Sequence, residues 1–446
     1  MIDSSAFQGK KAKYYTLGCK LNFSETSTFE RLLSDMGVRQ AERNELADIC
    51  LINTCSVTEV ADHKCRQIIH RMARENPGAF VIVTGCYAQL SSKTISKIEG
   101  VDLVLGSNEK ANLIQYLNDA FIGQKTDHHL HLYHAEKTKD IKTFAPSCSK
   151  GNRTRYFLKV QDGCNYFCTY CTIPYARGFS RNPPIDFLVQ QARQAAKEGG
   201  KEIVITGVNI GDFGETTHEK FIDLVKELDK IEEIKRFRIS SLEPDLCEDE
   251  LIDYCATSRA FMPHFHIPLQ SGSDEVLKLM YRRYDKALFA HKINLIKAKM
   301  PHAFIGVDVM VGCRGEKEEY FEECYEFLQS LPITQLHVFP YSERPGTSAL
   351  SIPHVVTDKE KKERSKRLLE LSDKKTEEFY AQFIGKEAEV LFEKAGKGKR
   401  MHGFTSNYIR VELPAIVAKE EYDNQLIKVK LKNFNFNKSA LIAEII

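Results

Sequence analysis

Strand-like and helix-like segments alternate along most of this chain, and this alternation restricts its fold more than any other feature. From Lys13 the strand-like runs are KYYTLG, ADICLINT, AFVIVTG and VDLVLG, with helical patterns such as NFSETSTFERLLSDMG between them. Such alternation is typical of a parallel sheet with helices on both faces. We therefore predict an α/β fold that begins with a flavodoxin-like parallel α/β domain over residues 10–125.

The alternation restarts at Arg155, after a polar, lysine-rich segment from His134 that we interpret as a linker. Six more strands are predicted: RYFLKV, EIVIT, RFRISS, FHIPL, IGVDVMVG and LHVF. With helices between them, they favour a partial (β/α)6 barrel over residues 150–380, where chemistry is expected at the strand ends. This range ends in a highly charged helix, predicted to be a mostly solvated connector.

Short alternating strands occupy the remaining residues, 383–446. The runs KEAEVLFE, MHGFT, YIRVEL, NQLIKVKLK and SALIAEI are separated by turn residues. This pattern predicts a small β-barrel.

Composition limits the location of the protein and the uses of its thiols. The 446 residues are 42% hydrophobic and carry a net charge of +2, which neither requires nor excludes nucleic acid. The start lacks a signal peptide and no apolar run is long enough to span a bilayer, so we expect a cytoplasmic protein without a membrane partner. Thirteen cysteines in a reducing compartment indicate metal or catalytic thiolates rather than disulfides.

Three of these cysteines, Cys164, Cys168 and Cys171, lie within QDGCNYFCTYCTIPYARG, directly after the first barrel strand. Their spacing differs from that of paired zinc knuckles, and the chain contains no second CxxC and no HxxxH motif. Zinc is therefore disfavoured, and an iron-sulfur cluster is indicated. Either a fourth ligand lies elsewhere or one coordination position is open.

The run CNYFCTYC, with Tyr170 before its last cysteine, resembles the radical S-adenosylmethionine (SAM) enzymes. The resemblance implies a [4Fe-4S] cluster on Cys164, Cys168 and Cys171, whose open iron binds SAM and whose electron cleaves it to a deoxyadenosyl radical. Polar and glycine residues near the strand ends are predicted to bind this cofactor: Tyr170, Gly207, Asn209, Ser241 and Gln270.

A second, dispersed set of three cysteines follows strands of the first domain. Cys19 lies in TLGCK, Cys55 in NTCSVT and Cys86 in TGCYAQ. Because the carboxyl ends of parallel strands meet at one edge of a sheet, these thiolates are predicted to converge on a shared metal site. The alternative is that they are small buried hydrophobic residues, as Cys50 illustrates.

Together with HIPLQSGS and the C-terminal β-module, these motifs resemble the methylthiotransferases of the radical SAM superfamily over nearly the entire chain. The resemblance implies a second [4Fe-4S] cluster on Cys19, Cys55 and Cys86 that carries sulfur. It also implies two SAM per turnover, one to methylate that sulfur and one to activate a C–H bond. The C-terminal module is similar to the RNA-binding TRAM domain.

The stretch TLGCKLNFSET is similar to the tRNA threonylcarbamoyladenosine type, which implies methylthiolation at C2 of that base next to the anticodon. Alternatives in the family act on isopentenyladenosine of tRNA, typically with YGCQMN, or on an aspartate of a ribosomal protein, typically with LGCPKN. The implied partners are tRNA, a flavodoxin- or ferredoxin-type electron donor and a sulfur donor; a monomer is expected. An alternative from another class is a non-catalytic metal- and RNA-binding protein.

The C-terminal module also carries cations close to aromatic rings, which favours phosphate neutralisation and base stacking. The residues predicted to bind RNA are Lys394, Lys397, Lys399, Arg400, Phe404 and Tyr408. Where the family usually reads GFPGE, this chain reads GCRGE, and Cys313 is predicted to be a non-ligand. The cysteines without partner spacing are predicted to be packing or surface thiols: Cys65, Cys148, Cys247, Cys255 and Cys324.

Overall fold

The computed structural model describes residues 4–122, 132–135, 138–151, 153–396 and 400–446. Its first part is a six-stranded parallel sheet in the order β2-β1-β3-β4-β5-β6. The strands are β1 (Lys11–Thr16), β2 (Arg39–Gln40), β3 (Ile49–Thr54), β4 (Phe80–Gly85), β5 (Leu103–Leu105) and β6 (Leu132–His134). The helices are α1 (Lys20–Asp35), α2 (Glu59–Glu75), α3 (Cys86–Leu90), α4 (Ser92–Ile95) and α5 (Leu113–Ile122). The order 2-1-3-4-5 is that of flavodoxin-like folds, so the predicted fold of this region is confirmed.

This sheet is covered on both faces, as its sequence requires. All six residues of β3 are buried. The first four alternate between two apolar clusters: Ile49 and Leu51 pack in one, and Cys50 and Ile52 pack in the other. A parallel strand buried on both faces has an almost continuous apolar run. Helix α2 begins at an N-cap, Thr58, whose side chain accepts a hydrogen bond from the Ala61 amide.

Six parallel strands then follow, three in each of two sheets, and isolated bridges join the two sheets into the open barrel. A short strand before them, β7, pairs antiparallel with β8. The strands are β7 (Cys148–Ser149), β8 (Tyr156–Lys159), β9 (Glu202–Thr206), β10 (Arg236–Ile239), β11 (His264–His266), β12 (Phe304–Val311) and β13 (Gln335–Pro340). The helices are α6 (Ile173–Arg177), α7 (Ile185–Lys197), α8 (Phe221–Asp229), α9 (Asp249–Thr257), α10 (Asp274–Leu279), α11 (Lys286–Lys299), α12 (Glu318–Ser330) and α13 (Asp358–Ala381). All six predicted barrel strands are present.

The segment from His134 differs from a simple linker at both of its described ends. His134 belongs to β6, which pairs with β5 in the first sheet, and Cys148 belongs to β7, which pairs with β8 of the barrel. Two very short strands carry too little periodicity to be distinguished from a loop in sequence.

The C-terminal strands close into a small barrel, as predicted. Their order around the barrel is β14-β15-β16-β18-β17. They are β14 (Glu387–Phe392), β15 (Met401–Thr405), β16 (Arg410–Leu413), β17 (Leu426–Phe434) and β18 (Leu441–Ile445). Phe304 of β12 and Phe379 of α13 join the core of this barrel. The charged helix α13 is therefore more than a solvated connector, because its apolar residues join it to both neighbouring units.

No helix among the described residues has both the length and the apolar character needed to cross a membrane.

Candidate iron-sulfur sites

The three-cysteine loop leaves β8 at the open end of the barrel and is held by its own backbone. The Cys164 amide donates to the Gly178 carbonyl at 3.0 Å, and the Cys171 amide donates to the Cys168 carbonyl at 2.9 Å. Cys168 is buried, whereas Cys164 and Cys171 are half-buried. The loop thus presents three reduced thiols from one short stretch of chain.

Gly163 allows this loop to close. Its φ is +76°, and a Cβ at this position would lie 2.0 Å from the Phe179 carbonyl oxygen. Backbone in the left-handed region in contact with another backbone segment requires glycine. The residue before the first cysteine is therefore part of the architecture of the site.

Arg282, from the segment after α10, reaches the second cysteine of the loop. Its Nη1 atom lies 3.0 Å from Cys168 Sγ and 3.5 Å from the Tyr170 hydroxyl, and its Nη2 atom pairs with the half-buried Glu243 carboxylate. Burial raises the pKa of Glu243 to about 7, although Arg282 lowers it. No sequence pattern pointed to Arg282, which is more than a hundred residues from the loop; Glu243 lies in SSLEPD, where a strand end predicted polar residues.

The predicted SAM-binding residues differ in how close they lie to the cysteines of the loop. Asn209 Nδ2 lies 4.0 Å from Cys164 Sγ, and its Oδ1 atom is buried without a hydrogen-bond partner among the described residues. Tyr170 reaches Arg282, as described above. Ser241 and Gln270 lie in bridges between neighbouring strands, to His266 and Val309 respectively. Asn209 and Tyr170 are therefore the two of this set that the structure brings to the cysteines.

Gln161, which the sequence did not single out, connects the ends of β8 and β9. Its Oε1 atom accepts from the amides of Val208 and Asn209 at 3.0 and 2.9 Å, and its Nε2 atom donates to the Gly163 carbonyl at 2.7 Å. At Gly207, a Cβ would lie 3.0 Å from the Gln161 carbonyl oxygen. The predicted glycine therefore permits close approach of the first two barrel strands.

The second set of cysteines follows β1, β3 and β4 at the carboxyl edge of the first sheet. Gly18, with φ +101°, would place a Cβ 2.8 Å from Cys55 Sγ, and Gly85, with φ +99°, would place one 2.3 Å from the Thr54 carbonyl oxygen. These glycines precede Cys19 and Cys86. They let the three strand ends approach one another, and the charges of Cys86 and Cys19 both act on Cys55.

The chemistry of the donors fits iron-sulfur clusters at both sets. All six cysteines are free thiols. Burial raises the pKa of Cys55 to about 12 and that of Cys164 to about 12, so a bound cationic centre is needed to favour the thiolates. A single tetrahedral zinc ion would hold its sulfurs about 3.8 Å apart. Of the described residues, only His266, Asp308 and His337 form a group with ligand atoms all within 4.8 Å. Neither set of cysteines is among the groups with this close spacing. A cluster does not require it, because each thiolate binds a different iron.

That histidine and aspartate group lies on one face of β11, β12 and β13. His266 Nε2 is 2.7 Å from Asp308 Oδ1, and the rings of His266 and His337 are 5.0 Å apart. Burial, followed by the charge of His266, lowers the pKa of His337, and Lys20 beside Cys19 lowers it further. The charge of Lys20, the residue after Cys19, thus acts on this polar face.

A buried charge network joins the sheet to the barrel between the two sets. Glu25 of α1 accepts from Lys110 at 2.6 Å, from Lys159 at 2.9 Å and from Arg177 at 3.1 Å. Asp162 accepts from Lys159 and Arg177 at 2.6 and 3.0 Å. Burial alone would raise the pKa of both carboxyl groups, but the surrounding cations hold both well below their ordinary values.

Arg177 extends this network to the second set of cysteines. It donates to Asn22 Oδ1 at 2.7 Å. Burial raises the pKa of the Cys86 thiol, which the charge and a hydrogen bond of Arg177 partly offset. A second buried bridge joins Arg344 to Asp62 at 2.6 Å. The sheet and the barrel are thus connected by paired buried charges at two places.

The residues predicted to bind RNA are dispersed. Lys394 and Arg400 are exposed, and Arg400 pairs with Glu412 at 3.2 Å. Lys397 and Lys399 lie outside the described residues.

The two rings predicted to stack on RNA bases, Phe404 and Tyr408, face the partial barrel. Phe404 and Tyr408 stack on each other at 4.6 Å, Arg155 lies 4.9 Å above Phe404, and His264 lies 4.2 Å from Tyr408. These rings hold the C-terminal barrel against the partial barrel. Their role in RNA binding stays a prediction.

The remaining cysteines are buried thiols. Cys313 is 4% exposed in a small apolar cluster with Val276, Met280, Tyr341 and Ala349. The other cysteines without partner spacing are buried as well: Cys65, Cys148, Cys247, Cys255 and Cys324.

Two family models match this chain. Residues 11–106 match the Uncharacterized protein family UPF0004, and residues 158–328 match the Radical SAM superfamily. The first range contains Cys19, Cys55 and Cys86, and the second contains the three-cysteine loop.

Curated relatives match along almost the whole chain. The threonylcarbamoyladenosine tRNA methylthiotransferase MtaB of Bacillus subtilis is 38% identical over 430 residues, covering 94% of this chain and 93% of its own length. The enzyme of that name from Aquifex aeolicus is 38% identical and covers 85% of this chain and 92% of its own. The tRNA-2-methylthio-N(6)-dimethylallyladenosine synthase of Pelotomaculum thermopropionicum is 31% identical and covers 89% of each chain.

A solved structure shares the fold. The radical S-adenosylmethionine methyltransferase TsrM of Kitasatospora setae superposes with a TM-score of 0.55 at 13% sequence identity, covering 76% of this chain and 77% of that one.

Proposed function

Since the chain belongs to the radical SAM methylthiotransferase family, we propose that it adds a methylthio group to C2 of N6-threonylcarbamoyladenosine next to the anticodon of tRNA. Five relatives of the threonylcarbamoyladenosine type are 30% to 38% identical to this chain, against 29% to 31% for three relatives of the dimethylallyladenosine type. This difference supports the choice of substrate. The observation that supports the reaction is the contact between the two three-cysteine sites: Thr172, next to Cys171, donates to the carbonyl of Ser56, next to Cys55, at 3.3 Å.

In this proposal Cys164, Cys168 and Cys171 hold one [4Fe-4S] cluster, and Cys19, Cys55 and Cys86 hold another. When bound, the two clusters supply electron transfer to SAM and a position for exogenous sulfur. The remaining proposed SAM contacts are Tyr170, Gly207, Asn209, Ser241 and Gln270.

The protein's own residues shape these sites. Arg282 donates to Cys168 and keeps a positive charge beside the first cluster site, and its pairing with Glu243 fixes its position. Hydrogen bonds to cluster sulfurs and nearby charge both tune reduction potentials. Arg177 has the corresponding place beside Cys86.

The C-terminal barrel, residues 383–446, is the proposed TRAM-like RNA-binding module, and Lys394, Lys397, Lys399 and Arg400 are its proposed phosphate contacts. Residues 10–125 and 150–380 are the proposed units for the second cluster and for SAM. Two SAM per turnover, a flavodoxin- or ferredoxin-type electron donor, a sulfur donor and a cytoplasmic location complete the proposal.

Mass spectrometry of tRNA nucleosides from a deletion strain tests this function. We expect loss of 2-methylthio-threonylcarbamoyladenosine, with the precursor retained and the modification restored by the wild-type gene. The matched control is the gene carrying Cys55→Ala, which should not restore it. Unchanged 2-methylthio-threonylcarbamoyladenosine in the deletion strain would refute the proposal. Loss of the dimethylallyl derivative, or of methylthiolation on a ribosomal protein, would identify the other substrate types.

A further inference from the structure

A pocket of about 620 Å³ lies beside the three-cysteine loop, and of its lining residues the proposed chemistry uses Arg282 alone. Three aromatic and three basic residues line it: Tyr166, Phe167, Lys278, Tyr281, Arg282 and Arg283. No carboxylate is among these lining residues. We refer to this pocket and its rim as the outer surface.

Exposed rings surround this pocket. Tyr281 is 67% exposed and Phe167 is 42% exposed. Tyr175 and Phe179 are about half exposed, with ring centroids 6.2 and 5.7 Å from that of Phe167. Contiguous exposed apolar surface on a folded protein indicates an interaction site.

Two of these rings belong to residues with a strained backbone conformation. Phe167 has φ 50° and Tyr281 has φ 56°, both in the left-handed region. Each such residue costs about 1–3 kcal/mol and persists where the surroundings impose it, often at functional positions.

The cations of the outer surface are available to a partner to different degrees. Arg283 is exposed, lies 4.1 Å above the Tyr166 ring and donates to the Asn165 carbonyl, and no carboxylate of the described residues forms an ion pair with it. Lys278 pairs with Glu275, but both side chains are largely exposed, and such pairs are weak. The surface is therefore suited to an acidic partner.

This surface is adjacent to Cys168. Phe167 precedes that cysteine, and Arg282 lines the pocket while its Nη1 atom lies 3.0 Å from Cys168 Sγ. A partner on this surface would come within a few side chains of the SAM-binding site.

The opposite side of the same loop faces the first sheet. Thr172 Oγ1 donates to the Ser56 carbonyl at 3.3 Å, and Ser107 Oγ donates to the Ala176 carbonyl at 2.6 Å. The second set of cysteines lies on this inner side. Because the two sets of cysteines come together on this inner side, we assign the inner side to the substrate and the outer surface to another partner.

We propose that the outer surface is the docking site of an acidic one-electron carrier protein. The proposal rests on the proposed function, because radical cleavage of SAM consumes one electron per event. The carrier would lose one electron to the [4Fe-4S] cluster that Cys164, Cys168 and Cys171 would hold; no proton or bond would change hands in this step. Arg283 and Lys278 attract the carrier, and the exposed rings provide the apolar contact.

Two variants test this docking site on the reconstituted holoenzyme: Arg283→Glu and Tyr281→Asn, since asparagine tolerates the left-handed backbone. The matched control is Arg193→Glu, a charge reversal at an exposed position of α7. The readout is 5′-deoxyadenosine formation with reduced flavodoxin at varied concentration, and separately with dithionite. We expect the apparent KM for flavodoxin to rise about tenfold in both variants but not in the control. Rates with dithionite should stay at the wild-type level.

Other outcomes overturn the proposal. An unchanged KM for flavodoxin, or an equal loss of activity with flavodoxin and dithionite, would exclude a docking role. Weaker tRNA binding together with an unchanged KM for flavodoxin would identify the surface as an RNA contact. Absence of SAM cleavage by the wild-type enzyme with dithionite would instead refute the proposed function, and the docking proposal with it.

Discussion

Arg177, six residues after the last cysteine of the barrel loop, donates to Glu25 of the first sheet domain at 3.1 Å, and each side chain is only 2% exposed. The two residues come from different parts of the fold. Their contact makes the cysteine loop part of the join between the sheet and the barrel.

Arg177→Ala should therefore destabilise the whole protein. Removing one partner of a buried ion pair leaves uncompensated charge and costs about 3–5 kcal/mol. Chemical denaturation of the apo-protein measures this loss. The control is Arg367→Ala, since Arg367 and Glu322 are partly exposed and their pair contributes about 0–1 kcal/mol. Equal losses in the two variants would contradict the assigned burial of the network.

The contribution of Glu25 should depend on pH. Burial would raise the pKa of this carboxyl, but Arg177, Lys110 and Lys159 hold it well below its ordinary value. The unfolded chain, with a glutamate pKa of about 4.3, then takes up a proton first as the pH falls. The stabilisation is full above that pKa and is lost on acidification. The free-energy difference between wild type and Glu25→Gln should shrink by about 1 kcal/mol from pH 7 to pH 3.5; a constant difference would argue against a depressed pKa.

Gly163→Ala should disrupt the barrel cysteine loop. The new Cβ would lie 2.0 Å from the Phe179 carbonyl oxygen at a φ of +76°. Gly199→Ala is a matched control, because Gly199 has a φ of +82° and no atom within 4 Å of a Cβ. The control should lose about 1 kcal/mol from backbone strain alone. Iron analysis after reconstitution should show loss of one site's iron in Gly163→Ala and full loading in Gly199→Ala.

Iron content should separate the two cysteine sets. If each set holds one [4Fe-4S] cluster, the wild type should bind about eight irons and Cys168→Ala or Cys55→Ala about four each. Cys168→Ala should abolish reductive SAM cleavage, whereas Cys55→Ala should retain some cleavage and stop sulfur transfer. One zinc per chain without SAM cleavage would support the non-catalytic alternative.

Replacing Lys397, Lys399 and Arg400 by alanine should weaken binding of the proposed tRNA substrate. For every phosphate that a removed side chain had neutralised, the slope of log affinity against log salt should fall by about 1. Affinities measured at several salt concentrations give this slope. The control is Lys226→Ala, which removes an exposed lysine of α8 that pairs with Glu250. A slope that does not change in the triple variant would place the phosphate-binding residues elsewhere.

The main strands and the placement of the cysteines after strand ends were largely predictable, because strands buried in a parallel sheet are mainly apolar and Cys19, Cys55, Cys86 and Cys164 each lie within five residues of a strand end. The buried polar face of α1 could not be predicted from the sequence. Ser24, Glu25 and Thr28 are buried against the barrel, although such polar positions in a helix normally indicate a solvated face. The interaction of Arg282 with Cys168 was also hidden, because it joins segments distant in sequence. Helix α13 was expected to be solvated, yet Leu368 and Phe379 bury its inner face.

The paired bridges from Arg177 to Glu25 and from Arg344 to Asp62 have a consequence for how a base would arrive. Swinging the sheet away from the barrel would break these bridges and leave buried charges unpaired, at a cost of several kcal/mol. Unstacking a nucleotide and flipping it out of its loop costs only a few kcal/mol. If the proposed tRNA is the substrate, we therefore expect the deformation on entry to fall on the RNA, with the adenine extruded from its stack into an enzyme that stays closed.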